Sequence, residues 1–434
     1  MSRHVKFTEL LDSAGWGSEH WKLFTIVSLN YFLDGVMFSI APLLAYIIAP
    51  DIAIHVLAVN LLAEWLGALT LGRLADVYGR RLVFTVALAL EAGALILLFF
   101  TYENPLLFLI LTSVMTFGIG GEFGAAYAAM AELTPKAHRG KALMIATNFW
   151  NMGAALIAGA GLVYALIYED PVVQARLLLL SALGTASVVG LSRLALPESV
   201  RWLAVKGRRG EAEAIVRRFT RSKAPISFEL PPEQSIGLRE AFSKYPFRIL
   251  VLAVVTVTQY VTYGMLAYYT PYAKGFTFGV ERAPMVILVA NLGASVGAFL
   301  LLPLIDRVRR LSILLAFLGG FTTVVLVALF HNAAALIAFF AALFLNLIFS
   351  EWAWGSISVL QSELFPTGVR ASIVGFLVSL TGIAGAITVY SELFLSAEGF
   401  IAWASILWLL GLAASIAWYV RGVESAGRGV EELA

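Results

Sequence analysis

The chain has 434 residues, 60% of them hydrophobic and only 13% charged, with a mean hydropathy of +0.86. Soluble proteins carry roughly 45–50% apolar and about 25% charged residues, so this little charge cannot cover a water-exposed surface and the solvent for most of the chain is lipid. The net charge of +2 leaves no excess to neutralise phosphates, which argues against nucleic acid, and the absence of Cys removes disulfides, thiolate metal sites and cysteine nucleophiles.

In chain order, residues 1–22 form a charged, amphipathic arm that does not read as a cleavable signal peptide, which needs a short basic start followed by an apolar core. Twelve apolar stretches long enough to cross a bilayer follow, at 23–49, 54–74, 82–101, 105–132, 142–168, 173–196, 247–273, 283–304, 311–330, 333–362, 371–396 and 399–420. Pro-containing turns such as Ala49-Pro50-Asp51, Glu103-Asn104-Pro105 and Glu169-Asp170-Pro171 separate them. The one long polar stretch, 197–246, divides the chain into six helices at 23–196 and six at 247–421, with a tail at 422–434. The predicted fold is an all-α membrane protein with twelve transmembrane helices in two pseudo-symmetric six-helix bundles.

Orientation follows from Lys and Arg. Alternating the spans places 27 of the 30 basic residues on one side, counting Arg193 with the basic central segment, and leaves Arg176, Lys274 and Arg282 on the other. Both termini and the central segment are therefore expected in the cytoplasm. The absence of any Asn-x-Ser/Thr sequon and the short loops fit a prokaryotic cytoplasmic membrane. Within the central segment, Ser199–Arg221 alternates apolar residues with many Arg, a pattern suited to lying at the membrane surface.

Chemistry other than transport finds little support. The five His sit near predicted helix ends or outside the helices, so no buried His cluster is expected for a metal or haem. The nearest approach to a phosphate-binding loop, Arg139-Gly140-Lys141-Ala142, has the wrong residues and spacing for ATP. No nucleophile–base constellation points to an enzyme, and no cofactor is expected.

Two patterns recur along the chain. Gly72-Arg73-Leu74-Ala75-Asp76-Val77-Tyr78-Gly79-Arg80-Arg81 follows the second span, and a weaker copy, Asp306-Arg307-Val308-Arg309-Arg310, follows the eighth. Glu132 and Arg139 stand seven apart after the fourth span, as do Glu363 and Arg370 after the tenth. Asp76 and Asp306 are 230 positions apart, and Glu132 and Glu363 are 231 apart. One shared offset implies duplicated halves in parallel orientation, with a substrate site near mid-membrane between them and alternating access by rocking.

These residues also carry a family resemblance. GRLADVYGRR resembles the cytoplasmic signature loop of the major facilitator superfamily. AELTPKAHRGKA, PESVRWL and SELFPTGVRA resemble its branch of sugar porters, organic-ion carriers and metabolite–proton symporters. Gly118-Ile119-Gly120-Gly121-Glu122-Phe123-Gly124 and the ELLDSAGWGSEHWK arm look most like metabolite–proton and aromatic-acid symporters. For Asp76, Arg80, Arg81, Glu132, Arg139, Glu198, Glu363 and Arg370 the resemblance implies an ionic latch, or cytoplasmic gate, holding the halves together.

Ionisable groups at membrane depth are costly and mark function. Asp34, Glu64, Glu91, Glu122 and Glu351 lie within predicted spans, with no Lys or Arg expected at comparable depth. A carboxyl without a basic partner in low dielectric can take up and release a proton near neutral pH. Helices 1, 4, 7 and 10 line the cavity of the family, which implies proton coupling by Asp34, Glu122 and Glu351; Glu91 is expected to pack as a neutral acid. Sugar porters carry an Arg in helix 4 where this chain has Val114, so Asp34 is expected to lack that ion-pair partner. Gln259 and Tyr263 in span 7, with Asn30, Asn148, Asn151, Asn291, Asn346 and Trp352, are the candidate substrate contacts. The expected function is proton-coupled import of a small organic metabolite, such as a monocarboxylate or aromatic acid, by a monomer working without ATP. A sugar or polyol, an organic cation and an uncoupled facilitator stay open as alternatives. With no deep cation, an anionic substrate would have to be held by Asn, Gln, Tyr and the peripheral Arg176 or Lys274.

Overall fold

The structure is a computed structural model that describes residues 5–228, 238–304, 307–365 and 367–425. Among them twelve helices are long and apolar enough to cross a membrane. They are α1 (Ser18–Ile48), α2 (Ala53–Tyr78), α3 (Arg80–Thr101), α4 (Pro105–Leu133), α5 (Arg139–Ile167), α6 (Pro171–Val189), α7 (Pro246–Gly264), α8 (Ala283–Leu301), α9 (Arg309–Asn332), α10 (Leu336–Glu363), α11 (Thr367–Ser391) and α12 (Ala397–Arg421).

The turn signals act as helix starts. Asn104 accepts from the amides of Leu106 and Leu107, and Asp170 accepts from Val172, each with Pro at the first helical position. Those side chains satisfy amides that the helix itself leaves unpaired. Helix α1 begins five residues earlier than the hydropathy predicts, because His20 Nδ1 accepts from the Gly17 amide at 3.0 Å and caps the extra turn.

The packing repeats with a step of six helices. In the first half α1 packs on α5, α2 on α4 and α3 on α4; in the second, α7 packs on α11, α8 on α10 and α9 on α10. Two seams join the halves, α5 against α8 and α2 against α11, and they exchange under the same step. Small residues permit the close crossings: a Cβ on Gly35 would fall 2.1 Å from the Trp150 carbonyl oxygen, and one on Gly153 would fall 2.0 Å from that of Phe32. These reciprocal contacts bring the backbones of α1 and α5 together.

One face of the bundle collects the arm, the loops after α2 and α4, and the central segment; it is called the basic face below. Val5–Lys6 pairs in parallel with Ile226–Ser227, and the Lys136 amide donates to the Asp12 carbonyl. The segments Val200–Val205 and Arg209–Thr220 are helical, and their apolar side chains Val200, Leu203, Ala212, Val216 and Phe219 are buried among Phe7, Leu11, Leu23 and Val27. The amphipathic stripe is thus spent on the arm and the ends of the first bundle, rather than on lipid. Farther on, Leu238–Lys244 packs against α11 and α7, so the central segment is shared between the halves.

Candidate functional site

Helix α6 does not stop at Val189. It tightens into a 3₁₀ stretch, Gly190–Ala195, and this carries Arg193 into the interior of the first bundle, where it is 1% exposed. There NH2 lies 2.6 Å from Asp34 Oδ1 of α1, and NH1 lies 2.8 Å from Glu91 Oε2 of α3 and 2.8 Å from Glu122 Oε1 of α4. All three acids are fully buried, and their oxygens lie within 4.8 Å of one another. Asn30 donates to Asp34 Oδ2 at 2.9 Å, and its carbonyl oxygen faces Arg193 NH2 at 3.5 Å. Gly118 makes room for the cluster, since a Cβ there would fall 2.8 Å from Glu91 Cγ.

This corrects the expectation that the deep acids have no basic partner. Arg193 belongs to the membrane interior rather than to the basic face. It fills the role left open at Val114, with the guanidinium delivered from α6 instead of α4. Glu91, expected to pack alone, is a full member of the cluster, and Asn30 serves the cluster rather than a substrate. The signal was present: Arg193 falls inside the predicted span 173–196, and three acids in neighbouring spans need a countercharge.

Glu351 lies elsewhere, at the seam between the halves, 6% exposed. Asn151 of α5 donates both amide hydrogens, to Asn148 Oδ1 at 3.0 Å and to Glu351 Oε2 of α10 at 3.3 Å. The Tyr263 hydroxyl of α7 lies 2.9 Å from the carbonyl oxygens of both Asn151 and Asn291. Asn148 donates to Ser295 of α8 at 3.1 Å, and Tyr268 reaches Asn291 at 3.3 Å and Trp150 Nε1 at 3.4 Å. Four predicted contacts, Asn148, Asn151, Tyr263 and Asn291, therefore meet Glu351 in one network spanning both halves. Sequence reasoning missed Trp150 and Ser295, while Tyr268 is one of the polar-tipped aromatics of span 7 that suit a hinge contacting substrate. After Gly264 the chain widens into one π-helical turn, Met265–Tyr269, which displaces Tyr268 from the regular helical face; such turns recur at functional sites.

The remaining predicted contacts go to helix packing. Gln259 donates to the carbonyl and hydroxyl of Ser350 at 3.2 and 3.3 Å, Asn346 donates to the Gly320 carbonyl at 2.8 Å, and Trp352 Nε1 donates to the Gly297 carbonyl at 2.9 Å. A second polar contact crosses the halves at the other seam, where the Tyr260 hydroxyl lies 3.3 Å from Glu64 Oε2. At the face opposite the basic one, the Tyr272 hydroxyl donates to the Pro42 carbonyl at 2.7 Å and ties the segment after α7 to α1.

On the basic face the charged motifs form the same device twice. Glu198 accepts from the amides of Arg80 and Arg81 at the start of α3, at 2.9 and 3.3 Å, while Arg80 NH1 reaches Glu132 at 2.9 Å. Ser199 Oγ and the Arg201 amide complete Glu132, each at 2.7 Å. In the second half Glu424 accepts from the amides of Arg309 and Arg310 at 3.1 and 3.2 Å, Arg309 NH2 reaches Glu363 at 3.0 Å, and Ser425 Oγ reaches Glu363 at 2.7 Å. Each device caps a helix N-terminus with a carboxylate, which satisfies orphan amides and the helix dipole.

Two expectations change here. Among the described residues these pairs run within each half instead of bridging them, because the carboxylate that follows α6 or α12 lies beside the helix start in its own bundle. Glu132 and Arg139 also do not pair: Arg139 turns back to the Thr134 carbonyl, at 2.9 Å from NH2, and to Asp12. The side chains of Asp76 and Arg370 lie outside the described residues.

Comparison with known proteins agrees with this architecture. A sequence model of the Major Facilitator Superfamily matches residues 23–389. The inner membrane metabolite transport protein YgcS of Escherichia coli is 30% identical over 330 residues, covering 76% of this chain and 73% of the relative. The niacin transporter NiaP of Acinetobacter baylyi is 24% identical over 439 residues, covering 96% and 97%. Among solved structures, the partially occluded inward-open form of the xylose transporter XylE from E. coli superposes with a TM-score of 0.75 at 18% identity, over 95% of this chain and 100% of that one. With twelve membrane helices in two matched bundles, a family match across both and metabolite transporters as relatives, the chain belongs to the major facilitator superfamily and is a transporter, not an enzyme.

Proposed function

We propose that this transporter moves a small organic metabolite together with protons, by alternating access, with the Asp34–Glu91–Glu122–Arg193 cluster carrying the protons and the Asn151–Glu351–Tyr263 network holding the substrate. The observation that carries this reading is the charge count of the sealed cluster: three carboxyl groups face one guanidinium. A dry interior does not hold uncompensated charge, so the acids in excess are neutralised by protons. Opening the cluster to water on either face then exchanges protons with that face.

A physical link between the two places supports coupling. Gly35, next to Asp34, packs directly against the Trp150 backbone, and Phe38 one turn on contacts the rings of Trp150 and Tyr268, both at 5.2 Å. Trp150 precedes Asn151. A small shift of α1 on protonation of Asp34 is therefore passed to the substrate network through packed groups. Relatives named for niacin and myo-inositol, and the fold-mate described as a proton:xylose symporter, agree with small-metabolite transport.

In this reading the transporter sits in the cytoplasmic membrane with the basic face inward, so that both termini are cytoplasmic. It works as a monomer without ATP, since one chain completes both sites. The test is transport in liposomes under an imposed pH gradient, using solutes first identified by counterflow. The wild type accumulates substrate uphill, whereas Asp34→Asn retains counterflow and loses uphill accumulation. Undiminished pH-driven accumulation by Asp34→Asn would sink the proposal.

A further inference from the structure

We propose that Glu351 selects the charge of the substrate, and that the network between the halves takes a small organic cation. This rests on the network being the substrate site and not on the proton coupling.

Charge placement carries the argument. Among the described residues the buried Lys and Arg side chains are Arg193 and Arg309. Arg193 is held by three carboxyl groups, and Arg309 by Glu363 at the basic face. Arg176, Lys274 and Arg282 are exposed at the opposite face and do not serve as deep anchors for an anion. Glu351 is the one carboxylate within the network. Its Oε2 accepts from Asn151, and its Oε1 has no partner among the described residues.

The surroundings fit a cation equally well. Asn151 spends its carbonyl oxygen on Tyr263 and both amide hydrogens on Asn148 and Glu351, which locks the carboxylate in place and leaves no amide hydrogen on Asn151 to greet an anion. Tyr263 and Tyr268 stand edge to face with their rings 6.0 Å apart, and Phe38 stands edge to face with Tyr268 at 5.2 Å. Aromatic faces attract cations and have no such attraction for carboxylates. An anionic substrate would find no compensating base in the network, only the Glu351 carboxyl. A cationic nitrogen at Oε1 would supply the countercharge that the buried Glu351 lacks, in a low-dielectric site where an ion pair is strongest. The expectation of a monocarboxylate or aromatic acid gives way here to its organic-cation alternative.

A matched set of one ring in three charge states tests this: nicotinate, nicotinamide and 1-methylnicotinamide. Binding to the purified full-length chain is measured by thermal stabilisation and titration, and the same measurement is repeated on matched aliphatic sets of carboxylate, amide and quaternary amine. The cationic member of at least one set should bind tenfold or more tightly than its neutral partner, with no binding of the anion. Glu351→Gln should lower the cation's affinity at least tenfold, and by a larger factor than it changes that of the neutral compound. Glu351→Asp, which keeps the charge on a shorter arm, should restore part of the loss. Tighter binding of anions, equal binding within the sets, no binding of any cation, or a Glu351→Gln variant that binds cations as the wild type does would each overturn the proposal. An anion driven uphill by a pH gradient would overturn this inference and leave the proton-coupled reading standing. Cation binding with no response to the gradient would do the reverse.

Discussion

The first bundle buries Arg193 among Asp34, Glu91 and Glu122, whereas the second fills the same depth with Phe317, Trp408, Gly320 and Asn346. Position by position the contrast is sharper. With an offset of 229, Asn30 and Asp34 correspond to Gln259 and Tyr263, Glu91 corresponds to Gly320, and Glu122 corresponds to Glu351. In the first bundle those positions converge on a guanidinium. In the second, Gly320 lies flat against the Trp408 ring, while Tyr263 and Glu351 turn toward the seam. The basic-face devices, by contrast, repeat the same contacts: a carboxylate on two helix amides, an Arg on a second carboxylate, and a Ser completing it. Helix N-termini pose the same unsatisfied amides in both halves, so both copies keep the same answer. The interiors face no such common demand: the first half gathers three acids on one base, while the second turns Glu351 to the seam and fills the corresponding space with neutral side chains.

The most severe way to break the contrast is Arg193→Met, which leaves three buried acids without their countercharge. Removing one partner of a buried pair costs about 3–5 kcal/mol, and thermal unfolding in detergent should register a loss of that order or a failure to fold. Adding Asp34→Asn to it should recover part of the loss. Glu351→Gln in the second bundle should leave the unfolding midpoint within the error of the measurement, because its partner among the described residues, Asn151, is a neutral amide. If both single variants destabilise equally, the two interiors are not chemically distinct.

A smaller effect is expected from Gly35→Ala. The new methyl meets the Trp150 carbonyl oxygen, and overpacking of this kind costs about 1–3 kcal/mol. Since that crossing also joins the acid cluster to the substrate network, pH-driven accumulation should fall by more than counterflow does. Equal losses in the two assays would dissociate the crossing from coupling.

The two caps make a milder comparison. Glu198→Ala and Glu424→Ala each remove a carboxylate from two helix amides, and cap removal costs about 0.5–2 kcal/mol. Near-equal losses are expected, measured by unfolding of the two single variants; a large disparity would show that the repeat is geometric without being energetic. Smallest of all is the exposed Arg208–Glu211 pair on Arg209–Thr220 and its preceding residue. Hydrogen bonds from Arg208 hold the Glu211 carboxyl below its usual range, yet both side chains are solvated. Such pairs contribute little, so Glu211→Gln should not move the midpoint measurably.

Much of the candidate site was legible in the sequence for a simple reason: polar groups are conspicuous in an apolar chain. Asp34, Glu122, Glu351, Asn148, Asn151, Tyr263 and Asn291 were found that way. Arg193 was not, because a base near the end of a span is ordinarily a topology marker or snorkels to the interface. Only the 3₁₀ continuation of α6 turns it inward. Asn30, Gln259, Asn346 and Trp352 satisfied the same criterion and yet serve the acid cluster or helix packing, since polarity alone does not tell a binding group from a satisfied interior one.

The sequence by itself determined that twelve helices cross the membrane, that they form two related halves, and that basic residues gather on one face. Those properties depend on composition and on local spacing, and lipid reads them segment by segment. Tertiary structure decided which acids share a base, that the charged motifs cap helices within their own halves, and that a lone carboxylate stands at the seam. Those outcomes depend on which faces of separate helices meet, and on distances of about 3 Å that no spacing along the chain encodes.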